Sequence, residues 1–123
     1  MQLNIKSAVI LLIVAILGVA AVDQVFANDD DASSRIDKGR EIAFDRRKGN
    51  CLACHAIEGG ELTGNYGPPL LMMPARFPDR NVLRAQIWDA STRVPDTRMP
   101  PYGRHRILTE EEIDLVVDFL LTL

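Results

Sequence analysis

The sequence predicts an all-α domain with three main helices. Three segments place apolar residues at the three- and four-residue spacing of a helix, and none alternates apolar and polar residues as a half-buried strand does. Stretches rich in proline and glycine separate these segments, which indicates irregular loops between the helices. A chain of 123 residues is long enough for one domain and no more.

Residues 1–27 have the pattern of a secretory signal peptide. Lys6 gives a positive start, Ser7–Val22 is an almost unbroken apolar run, and Val25–Ala27 ends on a small residue suited to cleavage. The alternative is a retained membrane anchor, but the run is shorter than the ~20 residues of a spanning helix and Asp23 interrupts it. We therefore expect cleavage and export, with no stable membrane insertion.

A short tail precedes the domain. Residues 28–34 include three consecutive aspartates and are expected to be a flexible acidic tail, followed by a domain over residues 35–123. The first helix is predicted to start with Ser34 as its cap and to end near Lys48. Gly39 lies on its apolar face, which indicates close approach of another helix, because glycine otherwise weakens a helix.

The chemistry lies in Gly49-Asn50-Cys51-Leu52-Ala53-Cys54-His55. Cys-x-x-Cys-His is the attachment signature of a c-type haem. Two thiols at this spacing can add to the vinyl groups on one edge of a porphyrin, and the imidazole that follows becomes the proximal ligand of the iron. We expect one haem c, attached covalently through Cys51 and Cys54, with His55 on the iron. Because this attachment is completed outside the bacterial cytoplasm, the motif and the export signal together predict a periplasmic protein.

The cysteine pair has two alternative interpretations: a redox dithiol and half of a zinc site. A zinc site needs two more ligands, and the chain has no third cysteine. His55 and His105 could supply them, but His55 follows Cys54 without a spacer, which is poor geometry for zinc. A dithiol oxidoreductase should carry its motif between a strand and a helix, and no strand is predicted. A disulfide between the two cysteines would give His55 no role, whereas the haem prediction gives it one.

The loop Gly67-Pro68-Pro69-Leu70 is predicted to support His55. Two prolines remove two N–H donors and leave carbonyl groups free to accept. Such a carbonyl can accept from the second nitrogen of His55, which orients the ring and raises its basicity. We expect Pro68 and Leu70 to line the haem pocket; an ordinary rigid turn is the alternative.

Met99 is the predicted distal ligand. It lies in a segment with three prolines, which stiffen the backbone, and a thioether is a suitable ligand for haem iron. The competing ligands are Met72, Met73 and His105. The two methionines follow closely after the loop that supports His55 and are expected in the core or at the haem edge. His105 lies beyond the rigid segment and is expected at the surface.

The two remaining helices have clear signals. Asp79 is suited to cap the second, whose apolar stripe is Val82, Leu83, Gln86, Ile87 and Ala90. Whether the off-centre Trp88 touches haem or a partner stays open. Thr109 and Glu112 form a capping box at the start of the last helix. Its stripe is Ile113, Val116, Val117 and Leu120, and Phe119 is expected to pack on Gly39.

The charge is unevenly distributed. The chain carries −3 in total, which gives no reason to expect nucleic-acid binding. Residues 76–106 nevertheless hold seven arginines, and residues 107–123 hold acids without a base. Either a basic rim surrounds the Met99 side of the haem, or these arginines are scattered over a solvated surface. The seven are Arg76, Arg80, Arg84, Arg93, Arg98, Arg104 and Arg106.

The order helix, Cys-x-x-Cys-His, Gly-Pro loop, helix, Met loop and C-terminal helix resembles a small class I cytochrome c, whose terminal helices pack around a covalent haem. Three runs resemble the SoxX family more narrowly: Gly49–His55, Gly67–Leu70 and Thr97–Gly103, followed by the helix to Leu123. SoxX proteins are monohaem cytochrome subunits of the periplasmic sulfur-oxidising (Sox) system. The resemblance covers Ile36 to Leu123.

The SoxX resemblance implies a partner and a pathway for electrons. Members pair with a SoxA-type cytochrome, and the SoxAX complex oxidatively couples thiosulfate to a cysteine of the carrier SoxYZ. The SoxX-like subunit passes the electrons to a small soluble cytochrome. The resemblance gives this chain no catalytic residue, so it is enzymatic only as a subunit of a thiosulfate-oxidising L-cysteine S-thiosulfotransferase. The alternatives are a free-standing monohaem electron carrier and a haem enzyme with a displaceable Met99.

Overall fold

Four α-helices joined by irregular loops carry the fold in this computed structural model, which describes residues 30–123. No strand occurs in this part of the chain; Ile57 and Leu70 form one isolated parallel bridge. The prediction of an all-α fold is therefore confirmed. The helices are α1 (30–44), α2 (Met73–Arg76), α3 (Arg80–Trp88) and α4 (Glu110–Leu120), with 3-10 turns at Cys51–Ala53 and Ala90–Thr92.

Helix α1 differs from its predicted bounds at both ends. It is already helical at Asp30, so the predicted cap at Ser34 is wrong, and residues 30–34 are helical where a tail was expected. The helix ends at 44 because Asp45 forms a turn, accepting from the Arg47 amide at 2.8 Å. The predicted signal peptide lies outside the described residues.

Helices α1 and α4 cross at Gly39, as predicted. A Cβ added to Gly39 would lie 2.0 Å from the Leu115 carbonyl oxygen and 2.9 Å from the Phe119 Cβ. Phe44 and Phe119 meet edge to face with ring centroids 5.9 Å apart. Arg35 donates to Asp118 at 2.6 Å beside the crossing. Glycine at this position lets the two helix backbones touch.

The predicted caps of α3 and α4 are confirmed. Asp79 accepts from the Asn81 amide at 2.8 Å and starts α3. Thr109 and Glu112 form the reciprocal capping box of α4, with bonds of 3.0 and 3.1 Å. The apolar stripe of α4 is buried throughout. On α3, Leu83 and Ile87 are buried but Val82 is exposed, so the predicted stripe was too wide.

Arginines of α3 pair with acids of α4. Arg80 donates to Asp114 at 3.1 Å and to Asp118 at 2.8 Å, and Arg84 donates to Asp114 at 2.8 Å and also to Glu110. Burial works against the ionisation of Asp114, but hydrogen bonds from Arg84 and Arg80 outweigh it and lower the pKa of this carboxyl group. Part of the arginine-rich segment therefore serves helix packing.

Trp88 packs within the fold. Its ring lies against Gly103, where an added Cβ would be 1.9 Å from the ring. The Gly103 amide donates to the Trp88 carbonyl at 3.1 Å. This contact fixes the end of the Met99 segment on the end of α3. None of the described helices is long and apolar enough to cross a membrane.

Candidate haem-binding site

One cavity of about 350 Å³ brings the sequence-predicted site residues together. It lies between the segment that precedes α2 and the loop that follows α3. It also reaches the buried faces of α3 and α4. Its walls are mainly apolar, as a porphyrin face requires. All six predicted site residues line it: Cys51, Cys54, His55, Pro68, Leu70 and Met99.

The cysteine pair lies on a tight turn. Asn50 adopts a left-handed conformation (φ 48°, ψ 36°) and begins the 3-10 turn at Cys51–Ala53. The His55 amide then donates to the Cys51 carbonyl at 2.9 Å, which brings the imidazole beside the thiols. Burial raises the pKa of the Cys51 thiol to about 11. The two cysteines are not joined in a disulfide.

The described part of the chain offers no cluster of side chains that could complete a zinc site with the two cysteines. Among residues 30–123, no three His, Cys, Asp or Glu side chains are grouped as a metal ion requires. His105 is exposed and does not line the cavity with the cysteines.

His55 is oriented by the double-proline loop. Its Nδ1 lies 2.6 Å from the Pro68 carbonyl oxygen, the hydrogen bond expected from the sequence. Because a carbonyl can only accept, Nδ1 carries a proton, and in the neutral imidazole Nε2 then keeps a free lone pair. Gly67 packs on the ring so closely that an added Cβ would lie 2.3 Å from Cε1. The loop therefore presents an imidazole with one nitrogen available as a ligand, which fits haem iron.

Met99 lies half-buried on the same cavity. Its amide donates to Thr97 Oγ1 at 3.2 Å, which stiffens the loop locally. Of the competing methionines, Met72 is 64 % exposed, so a core position for it was wrong. Met73 is buried as predicted and lines the cavity, with its sulfur 3.6 Å from a guanidinium nitrogen of Arg76.

Tyr102 is a cavity residue that the sequence analysis missed. It is 7 % exposed and its hydroxyl donates to the Gly49 carbonyl at 2.5 Å. Burial raises its pKa well above the usual value, so the hydroxyl stays protonated and can donate. The bond joins residues far apart in sequence, so the spacing of nearby residues could not predict it. The sequence shows only that an aromatic residue stands in the Met-Pro-Pro-Tyr-Gly run.

Three arginines lie at the mouth of the cavity, and we call Arg76, Arg93 and Arg98 the mouth arginines. Arg76 and Arg98 line it, and Arg93 stacks on the Phe77 ring, which also lines it. None has a carboxylate partner within ion-pair distance among residues 30–123. These three positive charges therefore have no ion-pair partner in the described part of the chain.

Comparison with known proteins agrees with this site. Residues 36–123 match the family model described as cytochrome c. The chain belongs to the cytochrome c family. The cytochrome therefore binds haem c covalently, and Cys51, Cys54 and His55 fit the attachment motif of the family. The helical fold with the terminal helices crossed beside the cavity is that of a class I cytochrome c, as predicted.

A second comparison finds an uncharacterized lipoprotein of Aquifex aeolicus (strain VF5). The two chains are 35% identical over 75 residues, which is 60% of this cytochrome and 36% of the lipoprotein. The cytochrome thus spans about a third of the length of that relative.

The cavity of the cytochrome fits its cofactor. A haem c supplies one-electron redox chemistry when bound. The chain supplies two thiols at one end of an apolar cavity, an imidazole with a free Nε2 on one wall, and arginines at the mouth. Residues 36–123 therefore form a haem electron-transfer domain.

Proposed function

We propose that this cytochrome is the SoxX-type subunit of a SoxAX complex, receiving electrons when thiosulfate is coupled to a cysteine of a SoxYZ carrier. Its electrons would pass to a small soluble cytochrome. Membership in the cytochrome c family supports the electron-transfer part of this proposal. The assignment to a SoxX-type subunit depends on three SoxX-like segments that each contribute residues to one cavity. They are Gly49–His55, Gly67–Leu70 and Thr97–Gly103.

We propose His55 as the proximal ligand and Met99 as the distal ligand. The support for His55 is the hydrogen bond from its Nδ1 to the Pro68 carbonyl, because this bond leaves Nε2 as the nitrogen that can bind iron. The support for Met99 is its place on the same cavity, together with the exposure of Met72 and His105. Pro68 and Leu70 contribute to the cavity wall.

Two protein ligands leave no coordination position for a substrate, so electron transfer without substrate conversion is the role that this ligand set supports. Under this proposal the chain takes part in an enzymatic reaction only through its SoxA-type partner. The alternative is a soluble monohaem carrier that acts alone, with the same ligands and the same cavity.

The proposal places the protein in the periplasm. Its support is the signal-like sequence of residues 1–27 and the need to complete haem attachment outside the cytoplasm. Sequencing the N-terminus of the purified protein tests this: a start near residue 28 agrees with export and cleavage, and a start at Met1 contradicts it.

Co-purification tests the subunit assignment. The tagged holoprotein is isolated from its native periplasm under mild conditions, and bound proteins are identified by haem staining and mass spectrometry. The proposal expects an equimolar complex with a second c-type cytochrome, and that complex should reduce a soluble cytochrome when given thiosulfate and SoxYZ. Isolation as a monomer, with full haem content, favours the free-standing carrier and contradicts the subunit assignment.

A further inference from the structure

A buried hydrogen bond joins the two segments that the proposed ligand set brings to the cavity. The Tyr102 hydroxyl donates to the Gly49 carbonyl at 2.5 Å. Gly49 stands two residues before Cys51, and Tyr102 stands three residues after Met99. The bond thus connects the haem-attachment segment with residues 97–103, which we call the Met99 loop.

The acceptor end of this bond is held firmly. Gly49 is buried, and its amide donates to the Ile42 carbonyl at 3.1 Å. A Cβ on Gly49 would lie 2.7 Å from that carbonyl oxygen and 3.3 Å from the Cys51 sulfur. Within residues 30–123, no backbone amide donates to the Gly49 carbonyl. The Tyr102 hydroxyl therefore satisfies a carbonyl that is fixed beside the thiol.

The donor end is held as well. The Tyr102 carbonyl accepts from the amides of Ile107 and Leu108, at 2.8 and 3.2 Å, just before α4. Pro100 and Pro101 separate Tyr102 from Met99, and proline has a fixed φ and few accessible conformations. A displacement of Tyr102 is therefore transmitted along a stiff segment to Met99.

We propose that Tyr102 is a positioning residue that holds the Met99 loop closed on the haem-attachment segment and so keeps Met99 at its ligand position. This inference rests on the proposed ligation by Met99. The ring of Tyr102 forms part of the cavity wall, and the Tyr102 hydroxyl makes the directional contact to Gly49. Removing the hydroxyl leaves the Gly49 carbonyl buried without its donor, which favours conformations in which the loop has moved away.

Imidazole binding to the oxidised holoprotein measures this opening, because an added imidazole can reach the iron only when Met99 has left. We expect Tyr102→Phe to bind imidazole about three- to tenfold more tightly than the unchanged protein, the range given by one lost hydrogen bond. Thr122→Val is the matched control, since the Thr122 hydroxyl also donates to a backbone carbonyl, that of Phe119 at 2.7 Å, but does not line the cavity. It should change the affinity by less than about twofold.

Two more variants separate the possible failures. Met99→Ala should bind imidazole more tightly than the unchanged protein, and adding Tyr102→Phe to it should have no further effect, because Tyr102 acts through Met99. If Met99→Ala and the unchanged protein bind imidazole equally, the proposed ligation fails and this inference fails with it. If Met99→Ala binds more tightly but Tyr102→Phe does not, only the inference about Tyr102 is overturned.

Urea unfolding distinguishes positioning from general stabilisation. A purely structural role for the hydroxyl would lower the unfolding midpoint of Tyr102→Phe and leave the imidazole affinity of the folded protein unchanged. That combination overturns the inference. A raised affinity at imidazole concentrations where both proteins remain folded supports it.

Discussion

At the scale of single residues, the redox behaviour of the site depends on Met99 in the proposed ligand set. A thioether stabilises ferrous more than ferric iron, so it raises the reduction potential. The structure holds this side chain at the cavity by a stiff loop and a local hydrogen bond from its amide to Thr97. Met73 lines the same cavity but belongs to the buried core, which argues against its moving to the iron.

Replacing Met99 tests this assignment directly. We expect Met99→Ala to lose the weak long-wavelength absorption band of methionine-ligated ferric haem and to lower the potential by roughly a few tenths of a volt, within the ~0.8 V span of axial ligands. The reduced variant should bind carbon monoxide, which the unchanged protein should exclude. Met72→Ala, at an exposed position, is the control. Retention of the band in Met99→Ala would exclude this ligand.

At the scale of secondary structure, the crossing of α1 and α4 depends on one glycine. Because a Cβ at Gly39 would lie 2.0 Å from the Leu115 carbonyl oxygen, any side chain there must separate the helices. We expect Gly39→Leu to destabilise the holoprotein by about 3 kcal/mol, as overpacked cores do. Lys38→Leu, on the exposed side of α1, is the control. Equal urea midpoints for the two variants would show that the crossing tolerates a side chain.

The paired charges of α3 and α4 make stability depend on pH. Asp114 has a lowered pKa in the folded protein, so its contribution is present at neutral pH and is lost as the pH falls through that pKa. We expect Asp114→Asn to cost about 1 kcal/mol or less at pH ~7, since the group is partly exposed, and the cost should fall as the pH is lowered through the folded-state pKa of Asp114. Asp96→Asn, in an exposed loop, is the control for urea unfolding. An Asp114→Asn cost that persists in acid would assign the effect to packing.

Features that depend on residues close together in the chain could be predicted from the sequence. The caps at Asp79 and Thr109, the haem motif and the loop carbonyl for His55 all involve residues within about a dozen positions, or a motif with fixed chemistry. Gly39 was also predicted, because a glycine in a helix requires a neighbour. The bond from Tyr102 to Gly49 was not predicted, since it spans 53 positions and depends on how the loops fold together.

At the scale of the whole molecule, tertiary structure divides six of the seven arginines of residues 76–106 into two groups; Arg106 is exposed and belongs to neither. Arg80 and Arg84 are neutralised by acids of α4, and Arg104 pairs with Asp89 at 3.1 Å. The mouth arginines have no such partners in the described part of the chain. Sequence alone left a basic rim and a scattered surface as alternatives, because the pairing depends on how α4 packs. The structure favours a basic rim made of three arginines.

A basic rim should select redox partners by charge. We expect the triple variant Arg76→Gln, Arg93→Gln, Arg98→Gln to be oxidised roughly three- to tenfold more slowly by the anion hexacyanoferrate(III) at low ionic strength. Oxidation by the cation tris(phenanthroline)cobalt(III) should become faster, and added salt should reduce both differences, because it screens exposed charges. Stopped-flow absorbance measures both rates, with the reduction potential of each variant determined so that driving force is accounted for.

The matched control removes the same charge from another place. Lys38, Arg46 and Arg47 are exposed and do not line the cavity, so converting all three to glutamine changes the net charge equally. If both triple variants respond alike, net charge governs the rates and the mouth has no special role. If only the mouth variant responds, and in opposite directions for the two reagents, electrons leave through the basic rim. An acidic surface on the physiological acceptor then follows from charge complementarity.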